Sequence, residues 1–210
     1  MTDTLSEPTA DTSSGALPPA SLTDLLRAMQ PDTDASGISV RIILKRIGDR
    51  SFAPAALIPA LILVSPVSGI PGMPTLGALI LTLIALQAIW GRDHLWLPDV
   101  IMRRSLSAQR MRQALKFLKT PAAWVDRHSK RRLRILSSGP LAPLAWVAVI
   151  VTVILWPFLE LVPFFTSVGA TIVALITIGL MTRDGLYLLF GYAGAVALAC
   201  GVVMAWNGLF

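Results

Sequence analysis

Two Arg-Asp pairs, Arg92-Asp93 and Arg183-Asp184, stand where apolar runs of the sequence end. A guanidinium presents a planar fork of donors that fits phosphate oxygens two at a time, so two such groups gathered together suit an anionic headgroup such as a lipid-linked phosphate. The structural alternative is that Arg meets the negative end of one helix while Asp, followed by Gly in the second pair, caps the next. Asp49-Arg50 precedes the first apolar run and could join the anion site, although Pro140-Leu141 stands in the matching place later in the chain. Glu160 is the only acid between Asp126 and Asp184. Within a bilayer its carboxyl would be a candidate proton or cation site, and at the far headgroups it would simply be solvated. Gln87 lies inside an apolar run, where an amide needs a partner from another helix or from a ligand.

Catalytic chemistry finds little support. Both histidines, His94 and His128, lie in a basic stretch with no His, Cys or paired carboxylate at a spacing that would hold a metal or activate a nucleophile. No phosphate-cradling Gly-rich loop is present, so work driven by ATP would need a partner. The single cysteine, Cys200, sits in the last apolar run and reads as a packing residue. The expectation is a protein that is not an enzyme, with no metal and no cofactor.

The elements that must position these residues show an internal repeat. Residues 48 to 93 recur at 139 to 184, shifted by 91 positions, with matches at the punctuation: Gly48 with Gly139, Pro66 with Pro157, Thr75 with Thr166, and the two Arg-Asp pairs. Each copy reads as apolar arm, Pro-broken tip, apolar arm. Duplicated hydrophobic units with broken helices recur in membrane transport proteins. The first arm, Ala53 to Val64, reaches roughly 18 Å as a helix and its return, Leu76 to Trp90, roughly 22 Å. A hydrocarbon core is about 30 Å thick. The copies therefore read as re-entrant or short helical hairpins, with tips at Gly69, Pro71, Gly72, Pro74 and Thr75 in the first and Pro157, Pro163 and Thr166 in the second. The stretch Ser65 to Thr75 is expected to be non-helical throughout. The second arms run Leu144 to Trp156 and Val168 to Met181. Leu186 to Trp206 then supplies an apolar helix of about 31 Å, long enough to cross once.

With 54% hydrophobic and 14% charged positions among 210 residues, the chain carries more apolar side chain than a soluble domain of this length can bury. Twelve of its 18 Lys and Arg fall between Arg92 and Arg134, offset there by only Asp93, Asp99 and Asp126. Such a stretch stays cytoplasmic. The predicted organisation is a flexible cytoplasmic tail over 1–37, an amphipathic helix and first hairpin over 38–93, a basic amphipathic cytoplasmic linker over 94–138, a second hairpin over 139–184 and a C-terminal transmembrane helix over 185–210. Within the tail, Ser21 to Gln30 has the spacing of a short capped helix. The fold class is all-α integral membrane protein, multi-pass, with a cytoplasmic N-terminus and a periplasmic C-terminus.

Ile38, Ile42, Ile43 and Ile47 alternate with Arg41, Lys45 and Arg46 in helical spacing, as in a helix lying along lipid headgroups. In the linker, Met102, Leu106, Met111, Leu115, Phe117, Leu118 and Trp124 lie among basic residues. Arg103, Arg104, Lys130, Arg131 and Arg132 are the residues assigned to an anionic membrane surface, in preference to nucleic acid. The tryptophans are expected at the interface. Gly191, Gly194 and Ala195 would let a second copy pack closely on the last helix, and a homodimer would cover backbone left open at the tips.

Gly48-Asp49-Arg50-Ser51-Phe52, then Gly69-Ile70-Pro71-Gly72-Met73-Pro74-Thr75, then Gln87, Gly91-Arg92, Trp96-Leu97-Pro98 and Arg183-Asp184-Gly185 together resemble the exopolysaccharide synthesis ExoD family, over roughly residues 40 to 200. The resemblance implies a bacterial inner-membrane protein of exopolysaccharide synthesis or export, with other proteins of that machinery as partners. With the repeat, it leads to the expectation of a small transporter or flippase-like protein for an anionic envelope intermediate or ion. The alternative is a non-transporting scaffold or regulator of the same machinery.

Overall fold

The computed structural model describes residues 19, 21–32, 37–47, 52–65, 72–129, 142–154, 156 and 165–209. In chain order its elements are α1 (Leu22–Ala28), β1 (Gly37–Ser39), α2 (Val40–Ile47), α3 (Phe52–Val64), α4 (Met73–Ile89), α5 (Asp99–Met102), β2 (Ser105–Ser107), α6 (Ala108–His128), α7 (Ala142–Ile154), α8 (Phe165–Thr182) and α9 (Gly185–Leu209).

Helix α3 is apolar on every side, and a helix of that kind must be covered all round. It is: Pro54 to Leu63 are buried apart from the half-buried Pro59. Its neighbours are α4, α8, α2 and α6. The apolar arms pair crosswise, α3 against α8 and α4 against α7, while α9 lies on α8 and α7. Small residues set the closest approaches. A Cβ on Gly179 would stand 2.8 Å from the Leu188 backbone nitrogen, and one on Gly191 would run into Ile176.

The return arm begins earlier than Leu76. Gly72, at φ 82, starts α4, and Met73, Pro74 and Thr75 are its first turn. This corrects the expectation of a non-helical stretch through Thr75. A proline in the first turn lacks only an N–H that has no helical acceptor there, and its fixed φ is already helical. Thr166 is likewise inside the first turn of α8.

The fold is mostly helical, but all-α needs a correction. Gly37–Ser39 pairs antiparallel with Ser105–Ser107, in the register Ile38 opposite Leu106. A Cβ on Gly37 would sit 2.8 Å from the Leu106 carbonyl oxygen, so glycine permits the approach. Three-residue strands far apart in sequence leave no periodicity to read.

Burial bears on two further expectations. Much of the apolar side chain of α2 and α6 packs on protein, with Ile43, Leu44, Ile47, Met111, Ala114, Leu118 and Val125 buried, while Ile42, Phe117 and Trp124 stay exposed. Residues 22–29 are not part of a flexible tail, because Leu22, Leu25, Leu26 and Met29 are buried where α1 lies on α6. Residues 1–18 lie outside the described residues.

Helix α9 holds a 20-residue segment, Gly185–Met204, with mean hydropathy 2.0, long and apolar enough to cross a membrane. Only 17% of its 18-residue window is buried by the rest of the chain. A core helix of a soluble protein would be covered.

Candidate functional site

The two Arg-Asp pairs occupy the same kind of helix end. Gly91 turns into the left-handed region at φ 64, and the Arg92 N–H donates to the Gln87 carbonyl at 3.1 Å. Arg183 makes the same turn at φ 55, and the Asp184 N–H donates to the Gly179 carbonyl at 3.1 Å. Both close the last helical turn by a bond reaching back five residues, the usual left-handed helix stop. Their acids differ. Asp93 is exposed with Arg92, whereas Asp184 is 2% exposed and its Oδ1 accepts from the Leu186 N–H at 3.1 Å, at the start of α9. Arg92 and Arg183 are both exposed, and neither lines the cavity described below.

Gln87 spends its amide inside the chain. Nε2 donates to the Leu83 and Trp96 carbonyls at 2.9 and 2.8 Å, and Oε1 accepts from the Trp96 N–H at 2.7 Å. It ties the end of α4 to the segment that leaves it. Gly72, Pro74 and Thr75 lie at the start of α4, and Thr166 is buried in the first turn of α8. Asp49, Arg50, Gly69, Pro71, Lys130, Arg131, Arg132, Pro157, Glu160 and Pro163 lie outside the described residues.

A concave feature among the described residues lies elsewhere. A cavity of about 230 Å³ lies between α2, α3, α4 and the β2–α6 segment. Ile43, Leu44, Ile58, Ile62, Leu76 and Ile80 give it an apolar wall. Its polar lining is Arg104, Ser105, Ser107 and Arg110, all exposed, so these mark its opening. The β pair and the first turn of α6 hold them there. Val40 N–H donates to the Arg104 carbonyl at 3.1 Å, and the Ser107 hydroxyl accepts from the Arg110 N–H at 3.4 Å as helix cap.

The basic residues of α2 and of the β2–α6 segment are paired unequally. Arg41 pairs with Asp99 at 2.7 Å, and Arg46 pairs with Asp32 at 3.0 Å while also donating to the Gln30 carbonyl at 2.7 Å. Arg104 and Arg110 meet no carboxylate among the described residues. Two uncompensated guanidinium groups beside an apolar cavity can hold an anion whose remainder is hydrophobic. The sequence assigns Arg104 to a membrane surface and does not distinguish Arg110 from its basic neighbours. Spacing gives no sign of the cavity, because its walls come from five separated segments, Leu97 among them.

Asp126 is the other residue whose role the sequence hides. Its carboxylate accepts from the Leu22 N–H at 2.8 Å, the Thr23 N–H at 2.9 Å and the Thr23 hydroxyl at 2.6 Å, holding the start of α1 to α6. The Ser-x-x-Asp cap at Ser21 is visible in the sequence, but its long-range companion is not. Among the described residues no three His, Cys, Asp or Glu side chains come together as a metal-ligand set.

A family model described as exopolysaccharide synthesis, ExoD matches residues 22–206. Protein ExoD of Rhizobium meliloti (strain 1021) is 28% identical over 179 residues, which cover 84% of this chain and 74% of that protein. No solved structure matches. The matched span begins at α1 and ends within α9, taking in the crosswise apolar arms, the Gln87 clasp and both helix stops, so the chain belongs to the ExoD family of exopolysaccharide synthesis proteins.

Proposed function

We propose that the chain is a multi-pass protein of the bacterial inner membrane that moves an anionic envelope intermediate, such as a lipid-linked phosphate, for exopolysaccharide synthesis. The observation that carries this reading is the large apolar surface that α4, α7 and α9 leave uncovered. Leu79 of α4, Leu144, Val151 and Ile154 of α7, and Leu189, Phe190, Val196 and Met204 of α9 are all exposed. A soluble monomer rarely leaves so much large apolar side chain to water, whereas lipid accepts it.

The crosswise pairing of α3 with α8 and of α4 with α7 is what a two-fold relation between duplicated hairpins requires, since the operation exchanges the two contacts. Among the described residues α3 and α7 hold 13 residues each, roughly 20 Å, and α4 and α8 hold 17 and 18, roughly 26 and 27 Å, against a hydrocarbon core of about 30 Å. Both hairpins then dip in from the cytoplasm and return, and α9 crosses once. The concentration of Lys and Arg between Arg92 and Arg134 supports the cytoplasmic placement of that stretch. A second copy of the chain would complete the cover over the tips.

The test is reconstitution in vesicles with a lipid-linked anionic precursor, scoring its appearance in the far leaflet. Transfer above protein-free vesicles is expected, and its absence at full incorporation defeats the reading. Cysteines at Trp90 and at Ser51, both ends of the first hairpin, should react from the same side; labelling from opposite sides overturns the hairpin topology.

The second reading, a scaffold for the exopolysaccharide enzymes, is favoured by α6. Its outer face exposes Arg112, Lys116 and Lys119 with Phe117, and Trp124 stacks on His128 at 4.6 Å between ring centroids. Neutralising Arg112, Lys116 and Lys119 should then abolish polymer output while precursor transfer in vesicles is unchanged.

A further inference from the structure

We propose that the cavity between α2, α3, α4 and the β2–α6 segment binds the chain of an anionic amphiphile, with its phosphate-type head at Arg104 and Arg110. The inference rests on the membrane-carrier reading above and names the site and ligand class within it.

Three observations converge. The wall is hydrocarbon: Ile43 and Leu44 from α2, Ile58 and Ile62 from α3, and Leu76 and Ile80 from α4. The size fits a portion of a chain. A dry apolar cavity of about 150 Å³ takes up benzene, and sites that enclose a whole small molecule are roughly 300–1,000 Å³. At about 230 Å³ the cavity holds one stretch of an acyl or isoprenyl tail and leaves the rest outside. The opening is cationic: Asp32 and Asp99 are engaged by Arg46 and Arg41, and among the described residues no carboxylate pairs with Arg104 or Arg110.

Charge excludes the competing occupants. A neutral tail would gain nothing at the two guanidinium groups, and a cationic amphiphile would be repelled. Inorganic phosphate alone would leave the apolar wall empty. A single-chain phosphate satisfies both halves, because its head takes charge-assisted hydrogen bonds and its tail displaces no bound polar group.

The experiment uses full-length protein in a neutral detergent and compares binding of farnesyl phosphate, farnesol, dodecyltrimethylammonium and inorganic phosphate. Farnesyl phosphate should bind at least ~10-fold more tightly than the other three, about 1.4 kcal/mol. R104Q/R110Q should abolish the preference over farnesol. Ile80→Phe and, independently, Leu44→Phe should weaken farnesyl phosphate by filling the cavity, and a photoreactive farnesyl phosphate should label α3 or α4 in the unmodified chain. Equal affinity for farnesol and its phosphate, or labelling confined to α7–α9, overturns the site.

Vesicle transfer separates the two readings. Binding that follows this pattern without precursor movement leaves the site standing and removes the carrier function. Movement unaffected by R104Q/R110Q and both cavity-filling variants removes the site and leaves the carrier.

Discussion

The Gln87 side chain and the Trp96 backbone clasp each other in both directions, Nε2 donating to the Trp96 carbonyl at 2.8 Å and Oε1 accepting from the Trp96 N–H at 2.7 Å. An extended backbone has here been given the two-bond partner it would find on a neighbouring strand. The polypeptide leaving α4 is thereby held beside the helix it has just left, which brings Leu97 to the cavity wall.

Replacing Gln87 by Leu keeps the volume but strips both bonds from Trp96. Leaving polar groups unpaired costs about 1–3 kcal/mol. Gln87→Leu should lower the thermal midpoint in detergent accordingly, and Gln87→Glu should be nearly as harmful because a carboxylate cannot donate to the Trp96 carbonyl. An unchanged midpoint in both variants would show that the clasp carries no stability.

Asp126 joins α1 to α6 through three accepted hydrogen bonds, all from the first turn of α1. Bonds to a charged group contribute about 1.5–3 kcal/mol, and a seven-residue helix has little stability of its own. Asp126→Ala should free α1 and expose Arg27 to trypsin much faster than in the parent, with the α3–α9 body still intact. Cleavage at the parental rate would contradict this.

The two helix stops make opposite predictions. A Cβ added to Gly91 would meet nothing within 4 Å, so Gly91→Ala incurs only the backbone penalty of φ 64, about 1 kcal/mol of lost stability. Arg183 already bears that penalty at φ 55, so Arg183→Gly should raise the midpoint. Were Arg183→Gly to destabilise the protein, its guanidinium would have to make a contact worth more than the strain.

Glycines along α9 should divide by what they face. A Cβ on Gly191 runs into Ile176 of α8, and one on Gly194 comes within 2.9 Å of Ile172, whereas Gly201 has nothing within 4 Å. Gly191→Ala should cost about 1–3 kcal/mol through overpacking. Gly201→Ala should be neutral or stabilising by up to about 1 kcal/mol, from helix propensity. Comparable losses at both positions would mean that α9 does not seat on α8 as described. The same contacts show that Gly191 and Gly194, expected to receive a second copy, receive α8 of their own chain.

Local regularities are legible because they are local. The runs that become α3, α4, α7, α8 and α9 are continuous apolar stretches, and residue type alone marks them. The matching Arg-Asp pairs mark two helix ends, and the left-handed turns at Gly91 and Arg183 are where those runs stop. The start of α4 is hidden because Pro74 reads as a breaker, although in a first turn it removes no bond that the helix makes.

The sequence by itself determined an apolar helical body with a concentrated basic segment, because hydropathy, charge and proline placement are properties of each residue and its neighbours. Only the tertiary structure decided what covers what. It buried Ile43 and Ile47 of α2 and Met111 and Leu118 of α6, paired Ile38 with Leu106, assigned Asp126 to the start of α1 and opened a cavity beside Arg104 and Arg110. Each of these joins segments far apart in the chain, and the free energy that selects such contacts depends on shape and on which partners remain unsatisfied, quantities that no local pattern of residue types contains.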